Sequence, residues 1–348
     1  MNRTAVVLFN LGGPDGPDAV QPFLFNLFND PAIIGLPKLF RWLLAKLISS
    51  RRAPVAKAVY ARIGGASPLL GQTTAQAQAL QQLLVQQGST GDDYRVFVAM
   101  RYWHPFARAV AADMRAWHPD HVVLLPLYPQ YSTTTSGSSL KDWNQAATAA
   151  GLDVPTSSVC CYPVEDGWIA AQARLIEAAI DRSLAAQGQK PRLLFSAHGL
   201  PKKIVASGDP YQWQVEQTVA AIVAALGPRH AGHAICYQSR VGPLEWIGPP
   251  LLSEIERAAT DKVPVVVVPV AFVSEHSETL VELDIEYREK AEQFGVPHYE
   301  RVATVQTEPE FISGLAGLVR WARESTGVTS ATGPRLCPGT CGRCAMAA

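Results

Sequence analysis

Unbroken apolar runs recur along the chain, and segments with the helical period of about 3.6 residues separate them. Strands that are covered on both faces carry such continuous runs, whereas strands with one wet face alternate apolar and polar residues. The pattern therefore predicts buried, parallel β-strands connected by helices. The predicted strands cover residues 4–11, 94–100, 121–129, 191–198, 233–239 and 263–273.

Helical segments separate these strands, and the clearest of them cover residues 73–88 and 167–188. The second segment ends at Gly188, and glycine is a common residue just beyond a helix C-terminus. Strands that alternate with helices predict doubly wound α/β units, in which ligands bind outside the carboxyl ends of the strands.

A weak internal repeat relates the two halves of the chain. "LFNLGGP" at residues 8–14 matches "FSAHGLP" at residues 195–201 with an offset of 187, which aligns Leu11 with His198. Each segment ends a predicted strand with chain-breaking residues. We therefore predict two similar Rossmann-like halves with parallel sheets that face each other across a cleft, and Leu11 and His198 on its opposite walls.

The predicted organisation has three parts, which are an N-terminal half at residues 1–160, a C-terminal half at 161–320, and a final segment at 321–348. We expect the final segment to pack on the first half. Residues 23–48, within the first half, differ from the rest because apolar and basic residues are mixed in a helical period, as in "LPKLFRWLLAKLISSRR" at 36–52. This stretch is either an ordinary packed helix or a lip that contacts a membrane surface or a hydrophobic ligand.

Charge and composition exclude several classes of function and location. The 348 residues include 30 basic and 30 acidic side chains, and this balance argues against nucleic-acid binding. The N-terminal stretch has too few apolar residues for a signal peptide. No run approaches the roughly 18 apolar residues of a membrane-spanning helix. The expected location is the cytoplasm, with peripheral membrane contact if residues 23–48 form a lip.

The segment "FVSEHSETLVELDIEY" at residues 272–287 carries the strongest chemical pattern. We predict that Ser274 caps a helix there, because serine is a favoured N-cap residue. Acids spaced by four residues line one face of such a helix. They form either a solvated acidic face or a file of oxygen ligands that attracts a divalent cation. The file comprises Glu278, Glu282 and Glu286, with Glu275 and His276 at its start.

His198 stands at the end of a predicted strand, in "LLFSAHGLP" at residues 193–201. A histidine in this position is either a structural residue or a base, since a neutral imidazole accepts a proton near neutral pH. The acidic segment nearby favours the base. Three more strand ends supply aromatic, hydroxyl and cationic groups, at residues 100–106, 127–139 and 236–249.

These segments together resemble the ferrochelatases, and the resemblance extends from about residue 4 to 320. It rests on the motifs "LFNLGGP", "RIGGASPL", "MRYWHPF", "LYPQYSTTTSGSS", "SAHGLP", "YQSRVGPLEWIGP" and "SEHSETLVELDIEY", which occur in the family's order. The family inserts ferrous iron into a porphyrin in the terminal step of heme synthesis. The resemblance implies a lyase with two Rossmann-like domains and a cleft, and it suggests a homodimer.

The resemblance also implies roles for individual residues. His198 corresponds to the residue that accepts pyrrole protons, and Glu278 to its partner acid. The implied contacts of the Fe²⁺ substrate are His198, Glu275, His276, Glu278 and Glu282. The implied porphyrin contacts are Leu11, Arg52, Tyr60, Ser67, Arg101, Tyr102, Ser239 and Trp246. The family's lip corresponds to residues 23–48.

Three of the six cysteines lie in "CPGTCGRC" at residues 337–344. Some ferrochelatases bind a [2Fe–2S] cluster through C-terminal cysteines and one internal cysteine, which implies Cys337, Cys341 and Cys344 as ligands here. Zinc is the competing occupant, since thiolates also suit it.

The fourth cluster ligand is open, because Thr133 stands where animal members have a cysteine. Cys236 is expected to be buried in a strand. Cys160 and Cys161 remain, and neighbouring strand residues point to opposite faces, so one of them should face the cluster. We favour Cys161 over Cys160, because it lies next to the turn before Pro163.

Three functions compete at this point. The first is insertion of iron into protoporphyrin IX, which Leu11 favours because many users of coproporphyrin are expected to carry tyrosine there. The second is insertion into coproporphyrin III. The third is a non-catalytic heme or iron carrier, which would keep an aromatic pocket but would not need a base at His198.

Overall fold

The computed structural model of the chain describes residues 2–240, 242, 244–331 and 333–347. Val241 and Pro243 of the turn-rich motif therefore lie outside the described residues, as do Met1, Thr332 and Ala348. The chain divides into two compact units. The first contains the chain up to Cys161 together with Leu315–Leu336, and the second contains Tyr162–Gly314 together with Cys337–Ala347.

The described residues form strands and helices that alternate along most of the chain. The strands are β1 (Asn2–Asn10), β2 (Asp92–Met100), β3 (His121–Pro126), β4 (Thr156–Val159), β5 (Arg192–His198), β6 (His233–Gln238), β7 (Val265–Pro269), β8 (Tyr299–Arg301) and β9 (Gly327–Thr329). The α-helices are α1 (Val20–Phe28), α2 (Lys38–Ala61), α3 (Leu69–Gln87), α4 (Ala107–Trp117), α5 (Ser136–Ala150), α6 (Asp166–Gln187), α7 (Lys202–Ala206), α8 (Tyr211–Leu226), α9 (Leu251–Thr260), α10 (Tyr287–Phe294) and α11 (Pro309–Arg323). Pro17–Ala19 form a 3₁₀ turn, and Glu278–Glu286 form a π-helix.

The first unit is built on a parallel sheet with strand order β2-β1-β3-β4-β9. Its central strands are buried on both faces, as their unbroken apolar runs predicted. One layer of core joins Phe9 of β1 to Trp143 of α5, whose rings meet edge to face at 5.8 Å. Each such fully buried large side chain contributes roughly 1.5–3 kcal/mol. The core therefore fixes the carboxyl end of β1.

The second unit has its own parallel sheet, with strand order β6-β5-β7-β8. Four consecutive valines followed by Pro269 form β7, and all five residues are buried. Helix α6 ends as predicted, because Gly188 adopts a left-handed conformation with φ of +64°. Strand β5 occupies an inner position and ends at His198, so the sheet presents this histidine at the edge where α/β folds bind ligands.

Helix α2 continues to Ala61 through Pro54, well past the amphipathic stretch 36–52 seen in the sequence. Several of its apolar side chains are exposed. Leu39 is 67% exposed and Phe40 62% exposed, and Leu43 and Leu47 are also exposed. The apolar side of the helix is thus not fully covered. Within the described residues, no helix is both long enough and apolar enough to cross a membrane.

The final segment of the chain does not pack as one piece. Strand β9 pairs with β4 and belongs to the first unit, as expected. Cys337–Ala347 instead belong to the second unit, which corrects the expectation that all of residues 321–348 pack on the first half. The reason is local pairing, because Gln214 of α8 donates to the Cys337 sulfur and the Arg343 amide donates to the Gly208 carbonyl.

Candidate active site

His198 is held in one orientation by the turn that follows β5. Its Nδ1 lies 2.6 Å from the Gly199 carbonyl oxygen, and the Gly199 amide donates to the Gln238 carbonyl at 2.9 Å. Since a carbonyl only accepts, Nδ1 carries the proton of the neutral ring and Nε2 carries the lone pair. The side chain is 39% exposed. His198 therefore presents a basic nitrogen at the strand end.

Gly199 allows this turn to pack against Trp246. A Cβ at position 199 would lie 3.1 Å from the Gln238 carbonyl oxygen and 3.2 Å from the Trp246 ring. Backbone pairing fixes the approach, because the Lys202 amide donates to the Glu245 carbonyl at 2.8 Å. Trp246, predicted from the sequence as an aromatic wall, is half-buried beside the histidine turn.

Glu278 lies between two imidazole rings. Its Oε1 is 3.8 Å from Nε2 of His198, and its Oε2 is 3.6 Å from Nε2 of His276. Burial alone would raise the pKa of this carboxyl, but the positive charge that His198 carries when protonated, together with the contact with His276, lowers its pKa to about 2. Glu278 is therefore a fixed negative charge near neutral pH.

Glu282 has a different environment one turn further along. Its carboxylate accepts from Nε2 of Gln238 at 3.0 Å, from the backbone amide of Ser239 at 2.9 Å and from the Ser239 hydroxyl. The hydroxyl of Ser196 orients the Gln238 amide by donating to its Oε1 at 2.8 Å. Burial and the charge of Glu278 raise the pKa of Glu282. The two acids therefore differ, since Glu278 stays ionised while Glu282 binds a proton more readily.

The acidic segment is a π-helix and not the predicted α-helix capped by Ser274. The Tyr287 amide donates to the Glu282 carbonyl five residues earlier, as in a π-helix. The start is held by Thr279, whose hydroxyl accepts from the His276 amide at 3.0 Å. π-helical turns occur frequently at functional sites. Glu286, at the far end, is exposed.

Glu275 does not join the other acids. Both of its oxygens accept from Nη1 of Arg301, at 2.9 and 3.1 Å, and one of them also accepts from the Thr304 amide. The residue is buried. These contacts occupy the Glu275 carboxylate and direct it away from Glu278, so the role of Glu275 as an iron contact stays a prediction.

The site thus brings together His198, His276 and Glu278, with Glu282 attached through Gln238 and Ser239. Throughout the part of the chain that the structure describes, no three histidine, cysteine, aspartate or glutamate side chains form a metal-binding group. The arrangement suits proton transfer and electrostatic attraction of a cation better than tight enclosure of one.

Four of the residues implied as porphyrin contacts in the first unit, which are Leu11, Ser67, Arg101 and Tyr102, lie where β1 and β2 end. The Tyr102 amide donates to the Leu11 carbonyl at 2.9 Å, and the Ser67 amide donates to the Pro14 carbonyl at 2.8 Å. A Cβ at Gly13 would collide with the Ser67 side chain at 2.5 Å, so the chain needs glycine there. Leu11 and Ser67 are both partly exposed at this edge.

Asp30 organises the same edge and was missed in the sequence. Its Oδ2 accepts from Arg101 at 2.9 Å, from the Tyr102 hydroxyl at 2.8 Å and from the Ser138 hydroxyl. Tyr102 is only 1% exposed, so its side chain supports the site through Asp30 instead of facing a ligand. A cavity of about 500 Å³ opens beside Asp30 and Arg101. The sequence signal that could have identified Asp30 is that it is a lone acidic residue within the apolar stretch 23–48.

The two remaining implied contacts lie on α2. Arg52 is exposed, and its guanidinium lies 5.9 Å from the centre of the Phe28 ring. Tyr60 is buried near the C-terminal end of the helix.

The cysteines form two groups and one isolated member. Cys337, Cys341 and Cys344 are buried together and pack against Trp213. Cys236 lies in the core of β6, as expected, and burial raises its pKa.

Cys160 and Cys161 are both buried, with their sulfur atoms 3.1 Å apart. The expectation that they point to opposite faces is wrong, because β4 ends at Val159 and the pair lies beyond the pleated strand.

Comparisons with known proteins identify a family and a fold. The profile of the family described as Ferrochelatase matches residues 3–323. The Ferrochelatase of Caulobacter vibrioides is 54% identical over 340 residues, which are 98% of this chain and 95% of that protein. The Ferrochelatase of Phenylobacterium zucineum is 52% identical over 343 residues, which are 99% and 98% of the two chains. The solved structure "SirB from Bacillus subtilis with Fe3+" has a TM-score of 0.53 at 10% identity and covers 93% of this chain and 96% of its own, which confirms the predicted α/β fold.

Proposed function

Since this chain belongs to the ferrochelatase family, we propose that it inserts Fe²⁺ into protoporphyrin IX to form protoheme and release two protons. The chain is then a metal-chelating lyase of heme synthesis. The observation that carries the proposal is the pairing of a directed base, Nε2 of His198, with the carboxylate of Glu278 at 3.8 Å. A heme carrier needs no such pair.

The chemistry requires a base, because both pyrrole N–H protons must leave before the four nitrogens can bind the metal. Nε2 of His198 accepts a proton, and the ring then becomes an imidazolium. The negative charge of Glu278 stabilises that imidazolium, as carboxylates do for catalytic histidines. The low pKa of Glu278 makes it a poor proton acceptor, so its contribution is electrostatic.

Glu282 is the better candidate to take a proton onward, because burial and Glu278 raise its pKa. His276 completes the group, because its Nε2 lies 3.6 Å from Oε2 of Glu278. Together, these side chains attract Fe²⁺ and carry away the displaced protons. The Fe²⁺ ion is a substrate, and its final ligands are the porphyrin nitrogens.

The choice of protoporphyrin over coproporphyrin III rests on the apolar Leu11 at the carboxyl end of β1. Coproporphyrin III remains the alternative substrate, and a non-catalytic carrier remains the alternative function. Steady-state Fe²⁺ insertion into the two porphyrins decides among them. Preference for coproporphyrin III would overturn the assignment of substrate, and failure with both would favour the carrier.

We also propose a [2Fe–2S] cluster with Cys337, Cys341 and Cys344 as three of its ligands. Their common burial beside Trp213 supports the proposal, as does the hydrogen bond of 3.0 Å that Gln214 donates to the Cys337 sulfur. The described side chains are not arranged as a closed metal-binding group, so the cysteines would have to move closer together to hold the cluster. The fourth ligand stays as inferred from the sequence, Cys161 or Cys160. When bound, such a group supplies one-electron redox chemistry and cross-links its segment; zinc is the competing occupant.

The remaining partners follow from the surface of α2 and from the family. The exposed apolar residues Leu39, Phe40 and Leu43 support a lip at residues 23–48 that contacts membranes peripherally. We propose a homodimer located in the cytoplasm. Sedimentation with vesicles that contain anionic lipid, before and after Phe40→Glu, tests the lip.

A further inference from the structure

Arg301 is a partly buried arginine at the end of β8 that contacts two carboxylates of the acidic region. Nη1 donates to both oxygens of Glu275, at 2.9 and 3.1 Å, and Nε lies 3.3 Å from Oδ2 of Asp284. Glu275 directly precedes His276, and Asp284 lies inside the π-helix. One guanidinium therefore ties down the chain on both sides of Glu278.

Other contacts between β8 and the same segment are consistent with this role. The Tyr299 hydroxyl donates to the Leu283 carbonyl at 2.6 Å. Arg288, which follows the π-helix, donates to Asp284 and to the Tyr299 carbonyl, both at 2.7 Å. The second half of the π-helix is thus attached to strand β8, and Arg301 also holds Glu275, three residues before Glu278.

The sheet connects Arg301 to the base. In the register of the second sheet, Arg301 pairs with Val267 of β7, and Val267 pairs with Leu194 of β5. Strand β5 then ends at His198. Because the strands between them are buried and hydrogen-bonded, the second sheet fixes Arg301 and His198 relative to each other. Arg301 in turn fixes the position of the acidic segment relative to this sheet.

We propose that Arg301 is a positioning residue that affects how the site uses Fe²⁺. It sets the distance of Glu278 and His276 from His198, and it does so through Glu275 and Asp284. This inference rests on the proposed ferrochelatase function. A guanidinium suits the task because its planar fork binds carboxylates in two directions at once. Lysine retains the charge but cannot reproduce both contacts.

The first test is Arg301→Lys, assayed with Fe²⁺ and porphyrin varied in turn under anaerobic conditions. We expect the KM for Fe²⁺ to rise at least fivefold, while the porphyrin KM and the porphyrin Kd from fluorescence quenching stay within twofold of wild type. A merely structural residue would lower Tm and the active fraction without changing the KM for Fe²⁺ alone.

A second variant guards against misfolding, because an unpaired buried charge is strongly destabilising. In the double variant Glu275→Gln with Arg301→Gln, no charge is left unpaired, and the same rise in KM for Fe²⁺ is expected. The matched control is Arg182→Gln, which removes an exposed ion pair to Glu300 on the same strand at 2.7 Å. This control should leave both KM values unchanged.

The outcomes are distinguishable. An Fe²⁺ KM within twofold of wild type in the folded variants would overturn the role of Arg301, and so would a fall in kcat with lower Tm and both KM values unchanged. Failure of the wild-type protein to insert iron into either porphyrin would refute the proposed function itself.

Discussion

At the scale of single residues, chemistry depends on which nitrogen of His198 is available. The bond between Nδ1 and the Gly199 carbonyl directs Nε2 toward Glu278, and the two groups lie 3.8 Å apart. Glu278 stays ionised and Glu282 has a raised pKa. The two neighbouring carboxyl groups thus differ in proton affinity, which suits them to different roles in proton transfer.

We predict that His198→Ala abolishes iron insertion while porphyrin binding persists. Loss of a general base alone costs roughly 10²–10⁴-fold in rate. Turnover and porphyrin fluorescence quenching measure the two properties separately. A variant that keeps more than about a tenth of the wild-type turnover has lost far less rate than removal of a general base costs. That result would show that His198 is not the base.

We predict that Glu278→Gln lowers turnover far more than Glu286→Gln. Glu278 contacts both histidines of the site, whereas Glu286 is exposed at the far end of the π-helix. Steady-state kinetics on both variants, with Tm as the check on folding, make the comparison. Equal effects would contradict an active role for Glu278 and would favour a solvated acidic face.

At the scale of secondary-structure elements, the longer strands were predicted from their apolar runs. The shortest strands could not be recognised in the sequence. All six predicted strands occur, and Gly188 ends α6 as expected. Strands β4, β8 and β9 have only three or four residues, too few for a period to be recognised. The π-helix was missed because acids spaced by four also fit an α-helix.

An ion pair between a helix and a strand leads to a prediction about how stability depends on pH. Arg323 of α11 donates to Asp92 of β2 at 2.7 Å, and this hydrogen bond, against the opposing effect of burial, lowers the pKa of Asp92. A lowered folded pKa adds stability above the unfolded value of about 3.9, and that stability is lost as the pH falls through the folded value.

We therefore expect Asp92→Asn to reduce the free energy of unfolding by about 1 kcal/mol at pH 7 and by much less near pH 3. Thermal and urea unfolding at the two pH values measure the difference. The exposed Asp153→Asn serves as the control and should change stability at neither pH. A loss of the same size at both pH values would show that packing, and not the ion pair, is responsible.

At the scale of the whole molecule, the chain has two parallel sheets, and its match to the ferrochelatase family extends over residues 3–323. The cysteines are the part of the chain whose role depends on distant segments. Cys337, Cys341 and Cys344 come together, but a [2Fe–2S] site needs four ligands.

We predict that serine at Cys337, Cys341 or Cys344 removes the cluster, and that one of Cys161→Ser and Cys160→Ser does so too. Absorption spectra with iron and sulfide analysis provide the readout, and Cys236→Ser is the control because Cys236 lies in the core of β6. Loss in Cys236→Ser with retention in both Cys160→Ser and Cys161→Ser would contradict the assignment. Zinc without sulfide in the purified protein would exclude the cluster.

The sequence by itself determined the alternating α/β order, the strand that ends at His198, the acidic segment and the family resemblance. These features depend on local period and on contiguous motifs, so they are visible along the chain. The tertiary structure decided which partners each polar group has. Asp30 meets Arg101 from 71 positions away, and Glu275 meets Arg301 from 26 positions away. No local period encodes such pairings, because burial and sheet register select them only when distant segments pack together.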